Sequence, residues 1–366
     1  MRAAVLEAAN EPLRVCEVDL EGPGPREVRV RIEACGVCHS DISLVDGTFP
    51  MMGPTVAGHE AAGVVVEVGP GVSRVAVGDH VVLSPNPSCG DCRACRRGRP
   101  GACGETPALM TATFPDGTTK LSRSGGSEVV YRGLGLGAWA TEVVVSERGA
   151  VPVPADVPLD VACVIGCAVQ TGVGAALNTA SLLPGDSVLV IGAGGIGVSI
   201  AAGAAVAGAT RVIVSDPSES RREQAMAFGA TDVIDPADQD VVAEVQRLVP
   251  GGVDAAFDAV GSAPLIDTAL AATCNGGEVL MVGAAPIDHS LTLQPVTMMF
   301  SEKSVKGSLL GSCDSVRDIP RIVDLWQAGR LPLEKMVTSR RPLDEVNEAI
   351  EDARSGKGLR TVLTMP

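Results

Sequence analysis

Positive charge is in short supply in this chain: 29 Lys and Arg stand against 44 Asp and Glu, a formal net charge of −15. Nucleic-acid binding needs clustered Lys and Arg to neutralise phosphates, so nucleic acid is excluded as a partner and the acidic excess serves solubility. The opening Met1-Arg2-Ala3-Ala4 lacks the apolar run of a secretory leader, and a cytoplasmic location is expected. The eleven cysteines are an odd number in a chain of 366 residues, long enough to bury a core without covalent staples, so a disulfide framework is not expected. There is no internal repeat and no low-complexity segment. With 46% hydrophobic and 20% charged residues, what remains is an ordinary globular profile of two or three domains.

One segment lacks charge altogether. From Ser187 to Thr210, 24 residues carry none, long enough to span a bilayer, but six of them are glycines. Gly192, Gly194, Gly195 and Gly197 crowd between a β-branched run and an Ala-rich run. That pattern predicts a strand turning into a buried helix rather than a membrane span.

The cysteines that are there are informative. Cys89, Cys92, Cys95 and Cys103 form a C-x2-C-x2-C-x7-C run, which brings four thiolates into one short loop. Four thiolates satisfy tetrahedral Zn²⁺ with no open position, so the site is expected to be structural. An iron–sulfur run would have a three-residue final gap followed by proline, whereas seven residues precede Cys103 and Gly104 follows it. Arg93, Arg96, Arg97 and Arg99 make a local basic cluster in the same loop, expected to be solvated or paired with acidic neighbours.

Up to about residue 165 the chain shows short alternating runs, Glu27 to Glu33, Gly63 to Val68 and His80 to Leu83, broken by Gly and Pro turns. This is the pattern of an antiparallel or barrel-like β domain. Apolar strands at Val188 to Ile191, Val212 to Ser215, Val233 to Ile234, Ala255 to Asp258 and Val279 to Val282 then alternate with helical stretches. They predict a parallel βα sheet with right-handed crossovers. An amphipathic helix around Ile319 to Gln327 and a strand at Leu359 to Leu363 close the chain, and this tail is expected to fold back on the first domain.

Gly192-Ala193-Gly194-Gly195-Ile196-Gly197 is a G-x-G-x-x-G run that follows a strand, opens a helix and precedes Asp216 by nineteen residues counted from Gly197. Gly192 permits the tight turn, Gly194 lets backbone approach a pyrophosphate and Gly197 packs helix on strand. Asp216 accepts the hydroxyls of an adenosine ribose and repels a 2′-phosphate, which favours NAD over NADP. Arg221 and Arg222 close behind could soften that exclusion, and a helix-capping role for Asp216 is the plain alternative.

Cys38, His59 and Cys167 are scattered along the chain. Two thiolates and an imidazole would leave Zn²⁺ a fourth position for water or alcohol, but by residue type alone the set is only a candidate. Cys35 competes with Cys38, and a lone buried Cys is more often a small hydrophobe.

Taken in order, Cys35-Gly36-Val37-Cys38-His39-Ser40-Asp41, Gly58-His59-Glu60-Ala61-Ala62-Gly63, the four-cysteine lobe, Gly166-Cys167 with Thr171-Gly172, the glycine run and Gly358-Leu359-Arg360-Thr361 resemble zinc-containing medium-chain alcohol dehydrogenases along the whole chain. The resemblance implies an α/β fold: a Rossmann doubly wound parallel sheet plus a mainly-β, GroES-like catalytic domain. The expected divisions are 1–168 (catalytic, with the zinc lobe), 169–309 (NAD-binding) and 310–366 (the remainder of the catalytic domain). It implies two zincs per chain, a catalytic one on Cys38, His59 and Cys167 and a structural one in the lobe, with NAD as hydride acceptor and a small-molecule alcohol or aldehyde as substrate. The long insert from Cys103 to Trp139 is similar to the dimeric branch of the family and implies a homodimer.

Within that resemblance Ser40 would accept the alcohol proton, Asp41 would hold His59 and Glu60 would sit near the metal to assist ligand exchange. Thr171 would contact the nicotinamide, while His39 and Arg360 would meet the pyrophosphate. Ser40 and Asp41 also suit a helix N-terminus. Two departures stand out. Ser43 occupies the position where many relatives end the proton relay with His, so water or His39 is expected there instead. Pro85 replaces a pocket aromatic, leaving Phe49 and Trp139 as apolar wall contacts and room for bulkier alcohols. A thiol-dependent formaldehyde dehydrogenase is the alternative, although no Lys or Arg lies between Gly104 and Thr119 and Glu105 has the wrong sign for an anionic thiol adduct. A non-catalytic binding protein on the same fold is the remote alternative, disfavoured because all the ligands and Ser40 are present.

Overall fold

The computed structural model describes residues 1–105, 111–286 and 288–366. It divides into two compact units, the first comprising Met1–Cys167, Asp314–Asp324 and Leu333–Pro366, the second Ala168–Cys313 and Leu325–Pro332. The tail from residue 314 is thus shared: most of it belongs to the first unit, and Leu325–Pro332 to the second.

The first unit is built on two sheets. One contains β1 (Arg2–Leu6), β2 (Arg14–Leu20), β4 (Thr55–Val56), β7 (Leu121–Arg123) and β8 (Tyr131–Arg132). The other contains β3 (Glu27–Gly36), β5 (Glu60–Val68), β6 (His80–Leu83), β9 (Glu142–Ser146), β10 (Ala150–Pro152), β17 (Val337–Pro342) and β18 (Arg360–Thr364). In β3 the alternation is visible residue by residue: Val28, Val30, Ile32 and Ala34 are buried, while Arg29, Arg31 and Glu33 point away from the core. The alternation stops at Cys35 and Gly36, both buried, where β3 lies between β5 and β18. Glu60 is directly paired with Gly36, so the start of β5 places His59 next to the end of β3.

The second unit holds β11 (Ser187–Ile191), β12 (Arg211–Ser215), β13 (Asp232–Ile234), β14 (Val253–Asp258), β15 (Thr273–Met281) and β16 (Ser304–Gly307), all parallel, in spatial order β13-β12-β11-β14-β15-β16. Renumbered from β11 this is 3-2-1-4-5-6, the doubly wound dinucleotide order, with its switch point between β11 and β14. β11 is buried at every residue because helices cover both faces of such a sheet. The uncharged stretch resolves into β11 and the helix Gly195–Ala207, whose small residues allow close packing: a side chain at Gly172 would meet Ser199, and one at Gly203 would meet the Val173 backbone. Among the described residues no single helix is long and apolar enough to cross a membrane.

Candidate metal centres and dinucleotide cradle

In the first unit, three groups distant in sequence converge. The ligand atoms of Cys38, His59 and Cys167 lie within 4.8 Å of one another, and all three residues are buried. Cys38 caps the helix His39–Val45, His59 immediately precedes β5, and Cys167 ends the helical segment after Cys163. Cys35, the competing thiol, lies within β3, where burial pushes its pKa well up, as befits an inert core residue. The hydrogen bond from Cys167 holds the Cys38 thiol well below its ordinary value, and that same bond pushes Cys167 well up.

Asp41 organises this cluster. Its fully buried carboxylate accepts from the backbone N–H of Cys38 at 3.1 Å and of Gly58 at 2.9 Å, and lies 3.0 Å from His59 Nδ1. The proton on Nδ1 is thereby fixed and Nε2 is left as the ligand nitrogen. Burial alone would push the His59 imidazole down, but Asp41 and the Cys38 thiolate outweigh it and hold the pKa well above the ordinary value. Asp41 therefore serves both as the helix-start acid that reaches back to the capping residue and as the orienter of a ligand on another element. Ser40 is half-buried, its hydroxyl 3.9 Å from Cys38 Sγ, and His39 is exposed.

Glu60 is fully buried, and burial pushes its carboxyl up to about 7 against the pull of Arg360. The Arg360 guanidinium is buried in the first unit, donating to the Val37 carbonyl at 2.8 Å and lying 3.2 Å from the Glu60 carboxylate. A cation drawn into β18 beside a buried acid takes that partner because the alternative is an uncompensated charge. Gly36 figured in the sequence only as part of the Cys35–Asp41 run, with no role of its own, yet a side chain there would run into the Glu60 carboxylate. Its only signal was a glycine beside the cysteines.

Of the expected wall residues, Phe49 is half-buried and Pro85 is buried. Trp139 has no exposed surface; it lies in the core against Gly58, with its Nε1 3.5 Å from the Gly36 carbonyl. Gly58, at φ +92°, adopts a conformation that suits glycine and leaves space for that indole. Trp139 thus backs the His59 loop from inside rather than facing a substrate.

The lobe forms the second metal-binding group. Cys89, Cys92, Cys95 and Cys103 are half-buried, with Sγ–Sγ distances of 3.9 Å (Cys89–Cys95), 3.6 Å (Cys92–Cys95) and 3.9 Å (Cys92–Cys103). A tetrahedron with zinc–sulfur bonds of about 2.3 Å has edges of about 3.8 Å, so the cage fits zinc. The N–H groups of Asp91 and Cys92 donate to Cys89 Sγ, and that of Cys89 to Cys103 Sγ, offsetting thiolate charge. Arg93, Arg96, Arg97 and Arg99 are exposed around it, Arg96 lying 3.8 Å from Asp91.

The second unit carries the cradle. Gly192 turns at φ +95°, a side chain at Gly197 would collide with the Gly192 carbonyl, and one at Gly194 would meet nothing within 4 Å. The surface at Gly194 is thus bare backbone at a helix N-terminus, suited to a pyrophosphate. Asp216 is buried at the end of β12, its carboxylate accepting from Ala193 N at 2.7 Å and Ser218 N at 2.9 Å. Arg222 is committed, donating to the Asp216 carbonyl at 2.7 Å and pairing with Asp235 at 2.8 Å. Thr171 Oγ1 is buried without a hydrogen-bond partner among the described residues.

Residues 24–155 match the alcohol dehydrogenase GroES-like domain, and residues 195–328 match the zinc-binding dehydrogenase family. The chain is 39% identical to the NDMA-dependent alcohol dehydrogenase of Amycolatopsis methanolica, over 99% of this chain and 98% of that protein. The chain belongs to the zinc-containing medium-chain alcohol dehydrogenases. This dehydrogenase is also 36% identical to the S-(hydroxymethyl)glutathione dehydrogenase of Saccharomyces cerevisiae, covering 99% and 95% of the two chains. Benzyl alcohol dehydrogenase from Acinetobacter calcoaceticus superposes on the dehydrogenase with a TM-score of 0.94 at 32% identity, covering 100% and 99%. The present chain is an oxidoreductase, and zinc and a nicotinamide nucleotide are its cofactors.

Proposed function

We propose that this dehydrogenase catalyses the reversible oxidation of a small alcohol to an aldehyde or ketone, with NAD as hydride acceptor. The observation that carries this reading is the buried convergence of Cys38, His59 and Cys167, a three-ligand set of the kind that keeps a position open for substrate. Zinc on those ligands supplies a Lewis acid that acidifies an alcohol hydroxyl. Nicotinamide, when bound, supplies the hydride acceptor.

The chain's own residues do the rest. Asp41 holds the His59 tautomer, and Ser40 Oγ, 3.9 Å from Cys38 Sγ, takes the alcohol proton and passes it outward toward exposed His39 or water, Ser43 having no titratable group to receive it. Glu60, held by Arg360, stands beside the ligands as the group that assists ligand exchange. Gly192, Gly194, Gly195 and Gly197 seat the pyrophosphate, Asp216 takes the ribose and Thr171 the nicotinamide. The commitment of Arg222 to Asp235 supports NAD, since it removes a cation that a 2′-phosphate would need. A cytoplasmic site of action suits thiolates that must stay reduced to hold metal. A homodimer is supported by the exposed apolar side chains of Val296, Met299 and Phe300 beside the edge strand β16.

The test is NADH formation at 340 nm by zinc-loaded protein with primary, secondary and aromatic alcohols, and with formaldehyde in the presence and absence of low-molecular-weight thiols. Turnover of plain alcohols, lost with chelator, bears the reading out. The kinship with S-(hydroxymethyl)glutathione dehydrogenase favours a second reading, and turnover only with a formaldehyde–thiol mixture would replace the first with it.

A further inference from the structure

Leu310, Gly311 and Ser312 take φ values of +46°, +66° and +53° in succession, a left-handed turn shortly after β16 in the second unit. Glycine enters this region freely, but Leu310 and Ser312 carry a Cβ that crowds the backbone there, so the turn persists only where its surroundings enforce it. Thr179 is one enforcing group. Its Oγ1 lies 2.8 Å from Ser308 Oγ and 2.9 Å from Ser312 Oγ. A hydroxyl donates once and accepts besides, so this single group can bond to both serines and join the two sides of the turn. Next to it, Asn178 Nδ2 is 3.4 Å from the Gly311 carbonyl and 3.4 Å from Cys313 Sγ.

The backbone that carries Thr179 is itself irregular. The helix Ala168–Gly174 runs on into a π turn, Ala175–Thr179, closed by the bond from Ala180 N to the Ala175 carbonyl at 2.8 Å. Such widened turns concentrate at functional sites, and here the last two residues of the π turn are the ones that bond to the left-handed turn. The left-handed turn packs in its turn on the helix. A side chain at Gly311 would lie 2.3 Å from the Gln170 carbonyl and 2.8 Å from the Thr171 carbonyl, and one at Gly174 would lie 2.6 Å from the Gly311 carbonyl. Cys313 Sγ donates to the Gln170 carbonyl at 3.4 Å. Backbone therefore meets backbone with no side chain between, and a shift of the turn is transmitted to the Thr171 peptide.

We propose that Thr179 is a positioning residue for hydride transfer: by stapling Ser308 to Ser312 it holds the left-handed turn against the Gln170–Thr171 backbone and so fixes Thr171 in place. The inference rests on the reading above that Thr171 meets the nicotinamide, whereas the staple stands on the hydroxyl distances alone. Thr179 acts through the turn and touches no reacting atom. Hydride transfer is sensitive to ring placement on a scale well below 1 Å, while the pyrophosphate and ribose are seated separately by the glycine run and Asp216. Loss of the Thr179 hydroxyl should therefore slow the chemical step more than it weakens cofactor binding.

The experiment compares the zinc-loaded wild type with Thr179→Val, which keeps the shape and removes the hydroxyl, and with Thr179→Ser, which restores it. Amide deuterium exchange without cofactor reads the turn, whose Ser312 and Cys313 N–H groups bond to the Leu309 and Leu310 carbonyls. In Thr179→Val these amides should exchange at least about tenfold faster, and in Thr179→Ser at the wild-type rate. The fluorescence of bound NADH, which reports the surroundings of the ring, should change in Thr179→Val, and kcat with benzyl alcohol should fall about tenfold while the KM for NAD moves by less than about threefold. A larger isotope effect on kcat with α-dideuterated benzyl alcohol should accompany this. Wild-type exchange in Thr179→Val would overturn the staple. Faster exchange with unchanged NADH fluorescence and kcat would overturn the positioning role. Thr171→Val with wild-type NADH fluorescence would instead remove the reading that Thr171 meets the ring, and the exchange result would still decide the staple. Should Thr179→Val not fold, Ser312→Ala decides by the same two readouts, since it removes one end of the staple.

Discussion

Asp41 Oδ1 lies 3.0 Å from His59 Nδ1, while the same carboxylate accepts the backbone N–H groups of Cys38 and Gly58. One acid thus orients one metal ligand and anchors the backbone of another. Asp41→Asn keeps the shape but loses the charge that fixes the imidazole, and should weaken zinc affinity at the catalytic position by about 10- to 100-fold. Competitive zinc titration of the variant measures this directly, and an unchanged affinity would show that the carboxylate's role is confined to capping the helix.

The two metal centres should separate under mutation. Cys38→Ser is expected to abolish turnover, leave the melting temperature nearly unchanged and retain one zinc per chain by elemental analysis. Cys95→Ser should lose the lobe zinc and lower the melting temperature, because that metal closes a half-buried loop with little core of its own. Equal damage to folding from both substitutions would contradict the division.

Gly194 and Gly197 make different demands. A methyl group at Gly197 meets the Gly192 carbonyl, so Gly197→Ala should destabilise the second unit itself, visible as a lower melting temperature without any cofactor. A methyl group at Gly194 meets nothing in the protein, so Gly194→Ala should melt like the wild type yet raise the KM for NAD by about tenfold or more, reporting the close approach of a pyrophosphate. If Gly194→Ala binds NAD normally, the pyrophosphate does not lie there.

Asp216→Ser should raise the ratio of kcat/KM for NADP to that for NAD by at least about tenfold, since it removes the carboxylate that a 2′-phosphate would face. Some stability goes with it, about 1–3 kcal/mol, because the Ala193 and Ser218 amides lose their acceptor. Adding Asp235→Asn, which loosens Arg222, should increase the NADP ratio further; no change in either variant would mean that the ribose is read elsewhere.

Chelation offers a check that needs no mutation. Removing zinc from the half-buried lobe should require milder conditions than removing it from the cluster of Cys38, His59 and Cys167, where the ligands are 7% exposed or less. Timed dialysis against a chelator, following activity and zinc content together, should show zinc leaving ahead of activity.

The local features were legible in the sequence because their geometry is local. Four cysteines within fifteen residues can reach one ion whatever the rest of the chain does, and a glycine run between a β-branched strand and an Ala-rich helix turns in one way. Strand alternation in β3 and the unbroken burial of β11 likewise follow from residue order alone. Separations of many tens of residues were beyond it. By residue type Cys35 and Cys38 were equal candidates, and only the pairing of Gly36 with Glu60 puts Cys35 into the sheet and leaves Cys38 at the helix start beside His59. Arg360 carries the same charge wherever it stands; burial in the first unit decided which carboxylate it meets, that of Glu60, and complete burial placed Trp139 behind Gly58. The sequence by itself determined the elements, the metal lobe and the dinucleotide turn, since these depend on neighbours along the chain; the tertiary structure decided which distant charges meet, since desolvation is set by what packs around a group and not by what precedes it.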